Sequence, residues 1–194
     1  EETGNIFWMT DSSLFANEDK FRKTMALVDK ELKGSKEDFI KHFKNKYSND
    51  YPPAWMLVEI LPLGIVTRIY DNLADNALRK KIAARFLLPV PVFSSWITII
   101  TLVRNTCCHH SRVWNKENAI TPMLLKKTPY RWISKQISPN RTFYDVCILK
   151  WFIDIISPEN DMIGHLKNLL SDFPHVDIAA MGFPKNWEEE PLWK

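Results

Sequence analysis

Residues 94–115 read SSWITIITLVRNTCCHHSRVWN, and the reading of this stretch decides the fold. From Ser94 to Val103 it carries no charge, and Arg104, Asn105, His109, His110 and Arg112 then follow within about three helical turns. A helix that only fills a core keeps its polar residues on one outer stripe, whereas these collect at one end of an apolar rod. The pattern predicts a central helix over 91–114. At about 100° per residue, Asn105, His109 and Arg112 share a face with Thr98 and Thr101. Arg104 stands about 100° from Asn105 and about 140° from His109, so Arg104 and His109 meet only if the guanidinium stem wraps round the helix. Pairing two copies of the helix across a two-fold axis instead brings the Arg104 and His109 of both into one composite site. His110 falls with Val103, Cys107 and Trp114, the position of a packed or supporting histidine, and Trp114 is assigned to the core.

Composition sets the frame around that helix. With 194 residues, 45% of them hydrophobic, the chain is long enough to bury a sizeable core as one domain, 1–194. Five glycines are few, and no period-two alternation is sustained enough to build a sheet, so the fold class is all-α. A net charge of +3 permits nucleic-acid binding without arguing for it, since basic residues must be clustered to bind. Three cysteines, Cys107 and Cys108 adjacent, make neither a disulfide framework nor a zinc spacing, and a reducing cytoplasm suits them. No apolar run approaches the roughly 20 residues that span a bilayer, and no signal peptide is read, so no membrane partner is expected. Adjacent histidines point about 100° apart on a helix, and HExxH and HxxxH partners are missing, so neither a metal nor a cofactor is expected.

The remaining chain parses as helices and straps. Residues 1–16 form an irregular strap anchored by Ile6, Phe7, Trp8, Leu14 and Phe15. Asn17 caps a helix over about 18–33 with Phe21, Met25, Val28 and Leu32 inward. Ser35 and Asp38 make a capping box for a helix to about Tyr47, with Phe39 and Phe43 inward and Lys41, Lys44 and Lys46 on a solvated face. Pro53 opens a helix over 54–73 that Pro62 kinks or splits near Leu61. Glu59, inside that apolar stretch, is a buried-carboxylate candidate, read as an ion pair with Arg68 or another base, or as catalytic. Residues 75–86 form a short amphipathic helix bearing Arg79, Lys80, Lys81 and Arg85. Asn140 caps a long central helix over 141–156, antiparallel to the helix over 91–114. On it Tyr144 and Asp145 are placed to orient a histidine. Residues 161–173 form another amphipathic helix, 177–181 a single turn closed by Gly182, and Phe183, Trp187 and Trp193 clamp the tail.

Between Asn115 and about Pro139 the chain is irregular, a length uncommon in a compact domain unless it has a task or wraps a surface. Lys116, Lys126, Lys127, Arg131 and Lys135 are interleaved there with Tyr130 and Trp132. Two readings stay open: a groove for single-stranded RNA, in which bases stack and phosphates are neutralised, and a plain covering strap. Arg112 is read as a phosphate contact or as a cation at the helix end, and Asn115 as structural.

The spacing Arg104, Asn105, three residues, His109 resembles the motif of HEPN domains, helical modules of many prokaryotic ribonuclease toxins and RNA-targeting CRISPR effectors. The longer string RNTCCHHSRVWN resembles the core of the Abi-like abortive-infection family of bacterial phage-defence proteins, of the AbiD and AbiF type. YPPAWMLVEILPLGIVTRIYDNL at 51–73 and AMGFPKNWEEEPLWK at 180–194 resemble its other blocks, so the likeness extends over essentially the whole chain. It implies a HEPN-like bundle of about six or seven helices with an irregular loop around 115–139 and a C-terminal tail strap, lacking the family's N-terminal helical region. It also implies a metal-independent endoribonuclease. Arg104 would stabilise phosphoryl charge, Asn105 would hold the histidine or a phosphate oxygen, and His109 would transfer protons at neutral pH. His110, Arg112, Lys116, Lys126, Lys127 and Arg131 would contact RNA. The implied partners are RNA, a second copy through the helix over 91–114, and a small regulatory RNA or antitoxin. The alternatives are a non-catalytic module that holds a structured RNA and a purely structural scaffold.

Overall fold

Helices α1 (Glu18–Gly34), α2 (Asp38–Lys46), α3 (Ala54–Ile60), α4 (Leu63–Asp71), α5 (Asn76–Arg85), α6 (Val90–Cys108), α7 (Thr142–Ile156) and α8 (Met162–Asp172) make up the structure, a computed structural model that describes residues 4–127 and 131–194. The fold is all-α, as expected, and among the described residues only isolated bridge pairs represent extended structure. The chain divides into two compact units, Glu1–Ile82 and Ala83–Lys194.

In the first unit α1 packs against α3 and α4 over a core of Met9, Val28, Leu32, Ile40, Ala54, Leu57, Leu61, Ile65 and Ile69. Asn17 caps α1 as expected, its side chain accepting from the Lys20 amide at 2.8 Å. Pro62 splits the long apolar stretch into α3 and α4, with Leu61 and Pro62 as the flanking caps. The strap before α1 forms two short 3-10 turns, and its deepest anchor is Met9 rather than any of its aromatics. Asn72 fixes the strap from below, its Oδ1 accepting from the Asn17 amide at 3.1 Å and its Nδ2 donating to the Asn17 carbonyl at 2.9 Å.

Four expectations over residues 35–85 are corrected. The capping box of α2 does not form: Glu37 is the cap residue with no side-chain bond, and the Ser35 hydroxyl accepts only from the Glu37 amide. The inward face of α2 is Ile40 and Phe43, three positions apart on one face, while Phe39, on the flank of that stripe, is 38% exposed. Glu59 is exposed and Arg68 lies on the surface, so the buried ion pair is absent; the apolar run around Glu59 is itself half on the surface, with Trp55 and Val58 exposed. α5 carries no continuous apolar stripe, Ala83 being its one buried residue.

The second unit is built around aromatic rings. Trp96 of α6 and Trp151 of α7 are fully buried and meet edge to face at 5.8 Å, while Phe93 of α6 sits 5.9 Å from Phe152 of α7. Thus the first half of α6 faces the second half of α7, and Leu102, Val103 and Thr106 lie near Asp145 at the start of α7, so the helices run antiparallel. Both indole N–H groups are satisfied, Trp96 donating to the Met123 carbonyl and Trp151 to the Phe86 carbonyl, each at 2.9 Å.

Residues 115–139 are irregular, as expected, and the described part is a covering strap: Trp132 packs 5.0 Å from Trp96 and 5.7 Å from Trp151, and Ile133 is buried. Trp132 is thereby withdrawn from any base-stacking role, and Tyr130 lies outside the described residues. The tail clamps as predicted, with Phe183, Trp187 and Trp193 gathered around Phe143 at 4.4, 6.2 and 6.0 Å. Gly182 makes this possible at φ +89°, where an added Cβ would lie 2.7 Å from Cβ of Arg141. Glu190 closes the tail onto the strap, accepting from the amide and hydroxyl of Ser134 at 2.6 and 2.7 Å. Burial pushes its carboxyl up, but these bonds and those from Lys135 outweigh it and hold it below the ordinary range. The cap of α7 is Arg141 rather than Asn140, without a side-chain bond. α8 is capped by Asp161 yet buries no residue, leaving Leu169 exposed.

Candidate functional site

The central helix ends earlier than its sequence predicts. α6 stops at Cys108, His109 is the cap residue, and His110 adopts φ +51°. The His110 amide donates to the Cys107 carbonyl at 3.0 Å and the Ser111 amide to the Thr106 carbonyl at 2.9 Å. Those two bonds are the Schellman closure of a helix, with histidine in the left-handed position that glycine usually fills. The position of His110 is thus set by backbone geometry, and its side chain is exposed rather than packed. Trp114, beyond the turn, is 42% exposed and not a core residue. Arg112 is also past the helix end, so the shared face of Asn105, His109 and Arg112 does not exist as a continuous helical stripe.

The last turn of α6 nevertheless gathers the motif. Arg104 Nη1 donates to Asn105 Oδ1 at 3.1 Å, which joins two residues that helical geometry alone holds about 100° apart. One turn on, the His109 amide donates to the Asn105 carbonyl at 3.0 Å. Arg104, Asn105, His109, His110 and Arg112 are all exposed, so a guanidinium, a carboxamide and imidazoles stand together at a helix tip open to solvent. The half of α6 leading to that tip is only half-buried at Ile100, Thr101, Leu102 and Val103. Lys116, Lys126, Lys127 and Arg131 are exposed, and among the described residues no hydrogen bond or ion pair joins them to the motif. No cluster of three or more metal-ligating side chains occurs among the described residues.

Behind the tip lies what the motif pattern does not signal. The segment after the turn is bolted to the start of α7: Thr142 Oγ1 donates to the Val113 carbonyl at 3.0 Å, Arg141 donates to Glu117 at 2.7 Å, and Asn118 Nδ2 reaches both Asp145 oxygens at 2.9 and 2.7 Å. Asn115, at φ +46°, accepts from Arg141 at 3.5 Å, in keeping with its structural reading. Asp145 is 3% exposed, and burial pushes its carboxyl up to about 6, with the Asn118 bond opposing the shift. Its partner is therefore an asparagine rather than a histidine. Asp145 shows in the sequence as a carboxylate inside the apolar run of α7; Asn118 carries no such signal.

A helical protein that presents a cation, an amide and imidazoles at an open helix end is the class that fold and site define. A family model for Abi-like proteins matches residues 1–115, and the chain belongs to that family. The match takes in the whole Arg104–Asn115 string and ends there, so the resemblance read at 180–194 lies outside it. Neither a curated protein nor a solved structure matches the chain. Among the described residues no single helix is long and apolar enough to cross a membrane.

Proposed function

We propose that this Abi-like protein is a metal-independent endoribonuclease of an abortive-infection phage-defence system, with a HEPN-like site at the tip of α6. The observation that carries the reading is the exposed Arg104–Asn105 pair, hydrogen-bonded at 3.1 Å one turn before His109, inside the region that defines the family. RNA carries its own nucleophile in the 2′-hydroxyl. The enzyme removes that proton, steadies the negative charge on the phosphorane, and protonates the 5′-oxygen as the P–O bond breaks. Imidazole, with an ordinary pKa of about 6.5, serves both proton transfers at neutral pH. A guanidinium offers paired donors to phosphoryl oxygens, and Asn105 fixes its direction. Two copies joined along the half-buried end of α6 supply two arginines and two histidines, one imidazole as base and the other as acid. Lys116, Lys126, Lys127, Arg131, Arg112 and His110 then serve as RNA contacts.

The test is RNA cleavage in excess chelator with analysis of fragment ends. Wild-type protein is expected to leave 2′,3′-cyclic phosphate and 5′-hydroxyl ends. His109→Ala and Arg104→Ala are each expected to lower the rate by about 10² or more. A second reading, a module that grips RNA without cutting it, draws on the exposure of the same residues. Intact RNA in a stable complex that survives His109→Ala and is lost with Arg104→Ala would select it.

A further inference from the structure

The residues that reach solvent at the site, His109 to Arg112, form a bridge with two supports. One is the Schellman closure at the end of α6; the other begins at Val113, whose carbonyl is held by Thr142. From Val113 to Asn118 every anchor sits on the stretch just before and at the start of α7: Thr142 on Val113, Arg141 on Asn115 and Glu117, Asn140 on the Asn118 amide, and Asp145 on the Asn118 side chain. Of these anchors Asp145 alone is a deeply buried charge. It borders a cavity of about 110 Å³ that α6 lines with Leu102, Val103 and Thr106. The charged groups on that cavity besides Asp145 are Lys116 and Glu117, both exposed, and among the described residues no ion pair includes Asp145.

A buried carboxylate without a cation is costly to hold in a fold. Stability therefore does not account for Asp145, while its geometry does account for where the segment lies. One side-chain nitrogen of Asn118 spans both carboxylate oxygens, a grip that a neutral amide cannot reproduce on both. We propose that Asp145, acting through Asn118, is a positioning residue that, together with the Schellman closure at the other end, fixes the turn 109–118 and with it the direction of His109, His110 and Arg112. The inference rests on the nuclease reading of that site. It adds a pair of residues, neither touching substrate, on which the geometry depends.

The experiment uses the full chain as wild type, Asp145→Asn, Asn118→Ala, and the exchanged pair Asp145→Asn with Asn118→Asp, in which donor and acceptor swap places. Amide hydrogen exchange over 109–118 is read beside kcat and KM for RNA cleavage in chelator. Each single variant is expected to speed exchange in that segment by about tenfold or more while α7 stays protected. Each is also expected to lower kcat by about tenfold with KM little changed, since misplacement of a reacting group penalises the chemical step. The exchanged pair recovers both readouts. Unchanged exchange over 109–118 in both single variants overturns the proposal, as does a loss of kcat that the exchanged pair fails to restore. Failure of the nuclease reading shows separately, as wild-type protein that leaves RNA intact. Hydrogen exchange then still decides the tether, because it needs no RNA.

Discussion

An uncharged, largely apolar run, Val90 to Val103, extends through both halves of α6, and the two halves have opposite fates. Phe93, Trp96 and Ile99 are buried in the aromatic core of their unit, whereas Ile100 to Val103 stay half-buried and Arg104 to Cys108 run out into solvent, apart from half-buried Thr106. The cause is α7. Its second half brings Trp151 and Phe152 against the first half of α6, but its first turn brings Asp145, Thr142 and Arg141, which hold the following loop instead of filling space. Hydrophobicity alone thus does not tell a helix buried along its length from a helix whose end runs out half-covered; the polarity of the opposing element does.

The comparison breaks most severely at Trp151. Trp151→Ala removes a fully buried ring and the hydrogen bond to the Phe86 carbonyl, and is expected to cost about 3–5 kcal/mol of unfolding free energy. Denaturant unfolding measures it, and a cost near that of a surface substitution would mean that the first half of α6 is not the anchor of the unit. At the other half the next largest effect depends on pH. The Asp145 carboxyl is raised to about 6 from its ordinary 3.8, so the folded state binds its proton more tightly than the unfolded chain does. The stability this contributes is fully present below the unfolded value and is lost as pH rises through about 6, a swing of about 3 kcal/mol. Glu190, held low, acts in the opposite sense: its stability is present above the ordinary glutamate range and lost as pH falls through its folded value. The difference between wild type and Asp145→Asn isolates Asp145, and should move by that amount in favour of the variant between pH 4 and pH 8. A difference independent of pH would show that Asp145 is not buried as described.

Much of this was legible because it is local. The cap at Asn17, the split at Pro62 and the turn at Gly182 each follow from residues that act within a few positions of themselves, while the tail clamps showed as large aromatics in a short polar tail, without naming Phe143 as the ring they meet. The motif was legible as a cluster, and its end was not. The usual stop signals are missing from TCCHHS: neither glycine nor proline marks the closure, and a histidine takes the left-handed position. The same happens at the end of α5, where Leu87 at φ +57° fills the place of glycine and the Leu88 amide donates to the Ala83 carbonyl. Long-range anchors settle such ends, as Thr142 does for Val113, and a bond over 29 positions leaves no mark in the local pattern. Trp132 stayed open for a related reason: a tryptophan among lysines reads equally as a stacking platform or as a plug, and its contact with Trp96 is what places it against the core.

The smallest expected effect on stability bears most directly on what the exposed half of α6 is for. Thr101 sits on the outward stripe with Arg104 and Asn105, half-buried, its hydroxyl donating to the Ile97 carbonyl of its own helix. Thr101→Arg therefore breaks no side-chain hydrogen bond to α7, and is expected to change unfolding free energy by no more than about 0.5 kcal/mol. If two copies pair along this stripe, as the proposed composite site requires, a long cation at the centre of the contact should separate them. Sedimentation velocity beside thermal unfolding reads both quantities on one sample. Dissociation with unchanged stability would establish that the apolar end of α6 is covered by a second copy and that the nuclease site is built between chains. Unfolding of the variant would mean instead that this half is core like the first, and the contrast between the two halves would fall. A monomer in both proteins would leave each tip to act with a single arginine and a single histidine motif, a geometry suited to gripping a phosphate and short of the acid and base that cleavage needs.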